Sequence, residues 1–169
     1  MKKIAITGPE STGKSWLTKQ LAAHYQTFFV PEYARDYLTK LTHPYTIDDV
    51  VEIAKGQLHI QEMMERLADN ILFSDTEMLV CKIWTEFVFG STPELIHQAF
   101  VKQRFDLYLL CDIDLPWEFD PLREHPEQRS TLFSLYQKYL IDYGLPYEVI
   151  KGKGIERLQC AIGYIENRR

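Results

Sequence analysis

The eight residues from Gly8 to Ser15 read G-P-E-S-T-G-K-S, which is a complete G-x-x-x-x-G-K-[ST] pattern. Glycines let backbone N–H groups turn inward around phosphate oxygens, and the N-terminus of a following helix adds positive charge. The pattern predicts that Lys14 reaches the β- and γ-phosphates of ATP and that the Ser15 hydroxyl ligates Mg²⁺. The residues predicted to hold the nucleotide are Gly8, Glu10, Ser11, Thr12, Gly13, Lys14, Ser15 and Trp16.

A second requirement of such a loop is a carboxylate that holds the magnesium, usually at the end of a neighbouring apolar strand. Asp75 follows the apolar run 71–74 and is predicted to be this metal ligand. Its alternative role is to cap the helix that follows, and both roles are compatible. Asp112 ends another apolar run and competes for the metal, although it more readily begins a loop.

An acidic and basic cluster follows the second predicted strand, in the segment Pro31-Glu32-Tyr33-Ala34-Arg35-Asp36. Ligands gather at the carboxyl ends of parallel strands, so this cluster is expected to face the same crevice as Lys14. We predict that Glu32, or Asp36 behind it, accepts the proton of a substrate hydroxyl and that Arg35 anchors substrate or phosphate. Asp75 is a third carboxylate that could contact the substrate and orient this hydroxyl. A solvated helix start with an Arg–Asp pair is the alternative interpretation.

The segment 112–129 shows neither the helical nor the strand periodicity of apolar residues, and it is predicted to form a lid. Its arginines, Arg123 and Arg129, are predicted to neutralise the charge on the transferring phosphate, while closure excludes water. Trp117 in the same segment is a candidate to stack on a flat base. Trp84, on the helix after Asp75, is a second candidate to line the acceptor pocket, beside Phe87. An ordinary surface loop and ordinary core packing are the alternatives.

Glycine and proline divide the chain into alternating short apolar runs and longer amphipathic runs. Strands are predicted over 2–7, 27–30, 71–74, 107–111 and 147–150. Helices are predicted over 14–25, 32–39, 77–89, 130–143 and 155–166, with a long helix capped by Thr46 and another that Thr92 caps before Pro93. Five alternating strands predict an α/β fold: a three-layer P-loop NTPase with a five-stranded parallel sheet and a short lid segment.

Composition limits the class of protein without naming it. The chain has 169 residues, of which 46% are apolar and 25% charged, and this length predicts one domain, residues 1–169. The net charge of −5 disfavours a general nucleic-acid binder. The chain carries no apolar run long enough to cross a bilayer and no signal-peptide pattern, so a cytoplasmic protein is expected. The three cysteines and five histidines show no disulfide or zinc spacing, and the thiols are expected to be buried and free.

The assembled motifs resemble the kinase domain of the NadR-type ribosylnicotinamide kinases, a branch of the P-loop nucleoside kinases related to AAA-type ATPase domains. The residues that carry the resemblance are Gly8 to Ser15, Pro31 to Arg35, Phe73 to Thr76, Asp114 to Trp117, Asp120, Leu122-Arg123 and Pro126 to Arg129. The resemblance implies ATP with Mg²⁺ and phosphoryl transfer to the 5′-hydroxyl of nicotinamide riboside, giving nicotinamide mononucleotide. Such kinases are often fused to an adenylyltransferase domain, which 169 residues are not expected to accommodate.

Two further functions compete with a small-molecule kinase. One is a switch or nucleotide-binding module whose ATP hydrolysis regulates a protein partner, and the other is a non-enzymatic phosphate binder. A GTPase is disfavoured because no N-K-x-D follows a late strand; the last strand leads instead into Lys151-Gly152-Lys153-Gly154. A small nucleoside is therefore the expected partner, and neither nucleic acid nor a membrane is. The residues leave the oligomeric state open.

Overall fold

In the computed structural model, which describes residues 1–168, strands and helices alternate along the chain. The elements are β1 (Lys2–Thr7), α1 (Lys14–His24), β2 (Phe29–Val30), α2 (Tyr33–Leu38), α3 (Ile47–Leu67), β3 (Ile71–Asp75), α4 (Met78–Phe89), α5 (Glu94–Lys102), β4 (Leu107–Cys111), α6 (Arg129–Asp142), β5 (Tyr147–Ile150) and α7 (Ile155–Asn167). The predicted α/β alternation is confirmed.

The strands form one parallel sheet in the order β2-β3-β1-β4-β5. Strand β1 lies at the centre, where Ile6 pairs with Asp75 of β3 and Thr7 pairs with Leu110 of β4. Because all strands run the same way, the loops after β1, β3 and β4 leave from adjacent points on one edge. The segment that follows β1, Gly8 to Ser15, therefore lies between the ends of β3 and β4.

Both faces of the sheet are buried, as a parallel sheet requires. On β1, Ile4 and Ile6 pack towards α1 and α7, whereas Ala5 packs towards the layer that contains α3 to α6. The same alternation on β4 sends Leu109 to one core and Tyr108 to the other. This period of two explains why the strands read as continuous apolar runs and why three layers form.

Helix ends largely follow the sequence signals. Thr46 caps α3 through a capping box with Asp49, and Gly90 ends α4 in the left-handed conformation at φ 74°. The predicted cap at Thr92 is wrong, since Pro93 is the N-cap of α5. The Thr92 hydroxyl instead donates to Glu86 at 2.9 Å and lies 3.4 Å from the Lys82 ammonium, because α4 passes close to this loop.

Three smaller expectations are corrected. Strand β2 has two residues rather than four, because Thr27 pairs back with Ala22 and with Ile71 before the ladder begins. Arg129 is the first residue of α6, so the lid, defined from here on as residues 112–128, ends one residue earlier than predicted. Cys81 and Cys111 are buried free thiols, but Cys160 is only half-buried on α7.

The helices between residues 1 and 168 do not include one that is both long and apolar enough to span a membrane.

Candidate active site

The segment from Gly8 to Ser15, called the phosphate loop below, is shaped by two glycines with positive φ. Gly8 has φ 130°, and a Cβ there would lie 2.9 Å from the Cys111 carbonyl oxygen. Gly13 has φ 76° and directly precedes α1. A side chain at Gly8 is therefore excluded both by its conformation and by the backbone of β4, which explains the close fit of the loop against the sheet.

Within the phosphate loop, Lys14 and Thr12 both reach one carbonyl. The Lys14 ammonium donates to the Pro9 carbonyl at 2.7 Å, and the Thr12 hydroxyl donates to the same oxygen at 2.8 Å. Lys14 thus crosses the interior of the loop rather than extending into solvent. This places its charge where the loop's backbone N–H groups would hold phosphate oxygens.

A buried arginine that sequence analysis missed ties the phosphate loop to its neighbours. The Arg157 side chain is 1% exposed, and its Nη2 donates to the carbonyls of Thr12 at 3.0 Å and Asp112 at 2.9 Å. Its Nη1 donates to the Asp114 carboxylate and to the Gly152 carbonyl, both at 2.7 Å. One guanidinium therefore holds together the phosphate loop, the start of the lid and the loop after β5.

Asp75 lies at the end of β3 beside Ser15. Its pKa is raised to about 6, chiefly by burial and next by the Glu32 charge, while the Ser15 hydroxyl and the Lys14 charge oppose the rise. Among residues 1–168, nothing hydrogen-bonds the buried atoms Asp75 Oδ1 and Thr76 Oγ1. Buried oxygens of this kind usually have a hydrogen-bond partner. The unpartnered Asp75 oxygen is therefore suited to bind a hard cation, which Ser15 and Asp75 would hold together.

The cation would need further oxygens from phosphate and water, as Mg²⁺ prefers. The described part of the chain holds no group of three His, Cys, Asp or Glu side chains that could bind a metal by themselves. The alternative ligand, Asp112, uses Oδ1 to accept from the Ile113 N–H at 2.7 Å. These observations favour Asp75 over Asp112.

Glu77, not Asp75, caps α4. Its Oε2 accepts from the Leu79 N–H at 2.6 Å and from the Gln103 amide at 2.7 Å, and its Oε1 accepts from the Thr7 hydroxyl at 3.1 Å. Burial raises its pKa to about 7, against the lowering effect of these three hydrogen bonds. The capping role considered for Asp75 is thus filled two residues later, and the Asp75 carboxylate is left for another partner.

A cleft of about 740 Å³ runs from the phosphate loop to the space between α2, α4 and the lid. All the residues predicted to hold the nucleotide line it, and Trp16, 41% exposed, does so from the surface of α1. Glu32, Arg35, Trp84 and Arg123 line it as well. The cleft therefore joins the phosphate loop to Glu32, Arg35 and Trp84 in one continuous space.

Four predicted residues are not among those that line this cleft: Asp36, Asp75, Trp117 and Arg129. Asp36 is exposed and lines a shallow depression with Tyr33, Tyr37 and Lys40. Trp117 is half-buried in the lid, and the Arg129 guanidinium lies 5.8 Å from its ring centroid. Of the two candidate bases, Glu32 thus lines the cleft and Asp36 does not. Of the two candidate tryptophans, Trp84 lines the cleft and Trp117 does not.

The lid is held against the phosphate loop by two of the loop's own residues. The Glu10 carboxylate accepts from the backbone N–H groups of Glu124 at 3.1 Å and His125 at 3.2 Å. The Ser11 hydroxyl accepts from the Glu118 N–H at 2.9 Å. Sequence analysis assigned both residues to nucleotide binding, and in the structure their side chains contact the lid.

The three predicted arginines lie at this junction. Arg123 Nη1 donates to the Glu118 carbonyl at 2.5 Å and lies 3.4 Å from the Ser11 hydroxyl. Arg129 Nη1 donates to the carbonyls of Ser11 at 3.1 Å and Leu115 at 2.9 Å. Arg35 forms an ion pair with Asp120 of the lid at 2.9 Å. Arg123 and Arg129 therefore border the phosphate loop, whereas Arg35 joins α2 to the lid.

The far end of the cleft is aromatic. The Trp84 indole donates to the Tyr45 hydroxyl at 3.1 Å, and Tyr45 donates to the Glu124 carboxylate at 2.5 Å. His125 packs edge-on against Phe87 with 5.0 Å between the ring centroids. Tyr45 and His125 were not singled out from the sequence because neither belongs to a motif. Together these rings form a flat-sided compartment suited to a heteroaromatic base.

The fold and this site define a P-loop nucleotide-binding protein. A family model described as an AAA domain matches residues 3–157. The chain belongs to this AAA domain family.

Two curated proteins are similar in sequence to part of this chain. Over 129 residues the chain is 29% identical to the Trifunctional NAD biosynthesis/regulator protein NadR of Escherichia coli (strain K12), a match that covers 73% of this chain and 31% of that protein. The same coverage holds for NadR of Salmonella typhimurium. The chain thus spans about a third of the length of these curated relatives.

Solved structures share the fold. A crystal structure of NadR protein in complex with NR superposes with a TM-score of 0.83 at 22% identity, covering 99% of this chain and 49% of that one. A NadR structure with NAD and AMP-PNP superposes with a TM-score of 0.79 at 23% identity, with the same coverage. Thymidylate kinase from Ehrlichia chaffeensis superposes with a TM-score of 0.69 at 13% identity, and the match covers 99% of this chain and 98% of that one. The predicted P-loop NTPase fold with a five-stranded parallel sheet is confirmed.

The fit of the phosphate loop to β4 leads to a stability prediction. Gly8→Ala should lower the free energy of unfolding by about 1–3 kcal/mol, because alanine is strained at this φ and its Cβ meets the Cys111 carbonyl. Gly163→Ala, in α7 where a Cβ meets nothing within 4 Å, should raise it by about 0.5–1 kcal/mol. Urea unfolding measures both, and equal effects of the two substitutions would contradict the steric argument.

Proposed function

We propose that this protein is an ATP-dependent kinase that phosphorylates the 5′-hydroxyl of a nucleoside, with nicotinamide riboside as the first acceptor. The observation that carries the proposal is the single cleft that joins Lys14 and Ser15 to Glu32 and then to the aromatic end around Trp84. A nucleotide switch needs the phosphate half of this cleft but not the second compartment. Relatedness to NadR supports nicotinamide riboside, since a NadR structure holds NR and another holds AMP-PNP, an ATP analogue.

On the phosphate side, the charges of Lys14, Arg123 and Arg129 lie around the loop that would hold ATP. Phosphoryl transfer depends mainly on positioning and on neutralising charge on the transferring group. We infer that these three cations perform that neutralisation. The lid, docked on Glu10 and Ser11, excludes water so that ATP is not hydrolysed without an acceptor.

Magnesium fits the buried oxygens beside the phosphate loop. Ser15 and Asp75 would hold it, and when bound it would neutralise the β- and γ-phosphate oxygens. The Asp75 carboxylate needs to be ionised to bind a cation, and nearby Lys14 favours that form.

On the acceptor side, we infer that Glu32, a carboxylate that lines the cleft, acts as the general base. Its charge raises the pKa of Asp75, which supports a place for Glu32 near the metal ligand proposed at the end of β3. A base at this position accepts the proton of the acceptor hydroxyl as that hydroxyl attacks the phosphate. Arg35, paired with Asp120, orients the lid beside it.

At the far end, the indole of Trp84 donates to the Tyr45 hydroxyl and lines the cleft. We infer that Trp84, with Tyr45 and Phe87, contacts the heteroaromatic ring of the nucleoside. The acceptor is thus a small molecule, and the proposed setting is the cytoplasm, where ATP is available.

The experiment that tests the proposal is a phosphate-transfer screen with Mg-ATP against a nucleoside panel that includes nicotinamide riboside. We expect a phosphorylated nucleoside with one ADP formed per product. Lys14→Ala should reduce turnover by at least about 100-fold, since it removes a charge at the transferring phosphate, while the far-ultraviolet circular dichroism stays unchanged. Brisk ATP hydrolysis that no nucleoside alters would instead support the regulatory switch.

The role of Glu32 is tested by Glu32→Gln, which keeps the size of the side chain and removes the base. We expect kcat to fall by about 100-fold or more with little change in the KM for ATP, because general-base catalysis contributes on that scale. Asp36→Asn is the matched control and should leave kcat nearly unchanged. A normal kcat in Glu32→Gln would remove Glu32 from the proton transfer.

The two candidate metal ligands are separated by their amide variants. Asp75→Asn should raise the Mg²⁺ concentration needed for half-maximal turnover by about 10–100-fold, since an amide binds the cation more weakly than a carboxylate. Asp112→Asn retains an oxygen that can accept from Ile113 and should leave the requirement unchanged. The reverse pattern would assign the metal to Asp112.

A further inference from the structure

Gln57 of α3 bridges the ends of two strands beneath the site. Its side chain is 1% exposed. Its amide oxygen accepts from the Tyr33 N–H at 2.9 Å, and its amide nitrogen donates to the Pro31 carbonyl at 3.1 Å. The same nitrogen lies 3.3 Å from the Thr76 carbonyl and 3.5 Å from the Asp75 carbonyl. One side chain thus contacts both the segment after β2 and the end of β3.

These two segments carry the residues to which the proposed reaction assigns proton transfer and metal binding. Pro31 and Tyr33 are the chain neighbours of Glu32, so bonding both fixes the backbone on either side of Glu32. On β3, the bonded carbonyls belong to Asp75 itself and to Thr76. Gln57 therefore links the backbones from which the Glu32 and Asp75 side chains extend.

The end of β3 needs such support because its backbone is strained. Thr76 has φ 76°, a left-handed conformation that a β-branched residue rarely adopts and that surrounding contacts must hold in place. Its carbonyl accepts from the Ser74 hydroxyl at 2.9 Å and lies within reach of the Gln57 amide. Loss of the amide would leave the partly buried Pro31 carbonyl and Tyr33 N–H without this partner.

The residue before Gln57 makes the bridge possible. A Cβ on Gly56 would lie 2.1 Å from the Cε1 atom of the Tyr33 ring. The ring therefore lies directly against the backbone of α3, and this close approach brings the Tyr33 N–H to Gln57.

We propose that Gln57 is a positioning residue that sets the placement of Glu32 relative to Asp75. This inference rests on the proposed kinase function. Gln57 is not among the residues that line the cleft, so it acts through the two backbones rather than on ATP or the acceptor. An amide is required because it accepts from one segment and donates to both, which neither a carboxylate nor an apolar side chain does.

The test compares Gln57→Met with Gln61→Met. Gln61 lies one turn further along α3, is 8% exposed and donates to Glu65 of the same helix at 3.0 Å. Both substitutions replace a buried amide by an apolar chain of similar length, but only Gln57 contacts the strand ends. Gln61→Met is thus a control for the stability cost of the substitution.

We expect Gln57→Met to lower kcat for nucleoside phosphorylation by about 10–100-fold, because a shift of about 1 Å between reacting groups costs this much. The dissociation constant for ADP, measured calorimetrically, should stay within about twofold, since the phosphate loop is untouched. Gln61→Met should keep both values while showing a comparable change in thermal stability. A purely structural role would instead lower kcat and nucleotide affinity together, or affect both variants alike.

If Gln57→Met fails to fold, Gln57→Glu serves in its place, because it keeps an acceptor for Tyr33 and loses the donors to Pro31 and Thr76. It should show the same loss of kcat with unchanged affinity for ADP. Wild-type protein that phosphorylates no nucleoside would overturn the proposed function. Wild-type transfer with an unaltered kcat in the Gln57 variants would overturn the positioning role alone.

Discussion

The parallel direction of the five strands is the constraint on which the site depends. Parallel strands end at the same edge, so the segments after β1, β2 and β3 share one surface. Because β1 is central, the phosphate loop lies between Asp75 on one side and the start of the lid on the other. Gly8 then has to pass against the Cys111 carbonyl, which leaves no space for a side chain. The geometry of the loop is therefore set by the sheet as much as by its own residues.

Buried ionisable groups at this edge divide into satisfied and unsatisfied ones. Arg157 donates to three carbonyls and one carboxylate, although its buried Nε has no hydrogen-bond partner within residues 1–168, and Glu77 accepts three hydrogen bonds, so each offsets much of the cost of burying a polar group. Asp75 keeps one oxygen that nothing within residues 1–168 hydrogen-bonds. This difference distinguishes residues that hold the structure together from a residue with capacity left for a ligand.

The phosphate loop and the lid form one connected unit. Glu10 and Ser11 contact the lid through their side chains, Arg129 reaches back to Ser11, and Arg157 joins the base of the lid to Thr12. The phosphate loop is thereby hydrogen-bonded directly to the lid at several points. The aromatic end is coupled to the same segment, because Tyr45 donates to Glu124. For the proposed kinase function, this connection would let the lid exclude water when a nucleotide is bound in the phosphate loop.

The sequence by itself determined the phosphate loop, the alternation of strands and helices and the position of Asp75, because each depends on local residue types or on short periods. It left open the choice between Glu32 and Asp36 and between Trp84 and Trp117, and it contained no signal for Gln57, Tyr45 or Arg157. Only the tertiary structure brought Glu32 and Trp84 into the cleft and left Asp36 and Trp117 outside its lining. The physical reason is that a bond such as that from Arg157 to Thr12 joins residues far apart in the chain, and such bonds arise from packing rather than from any pattern along the chain.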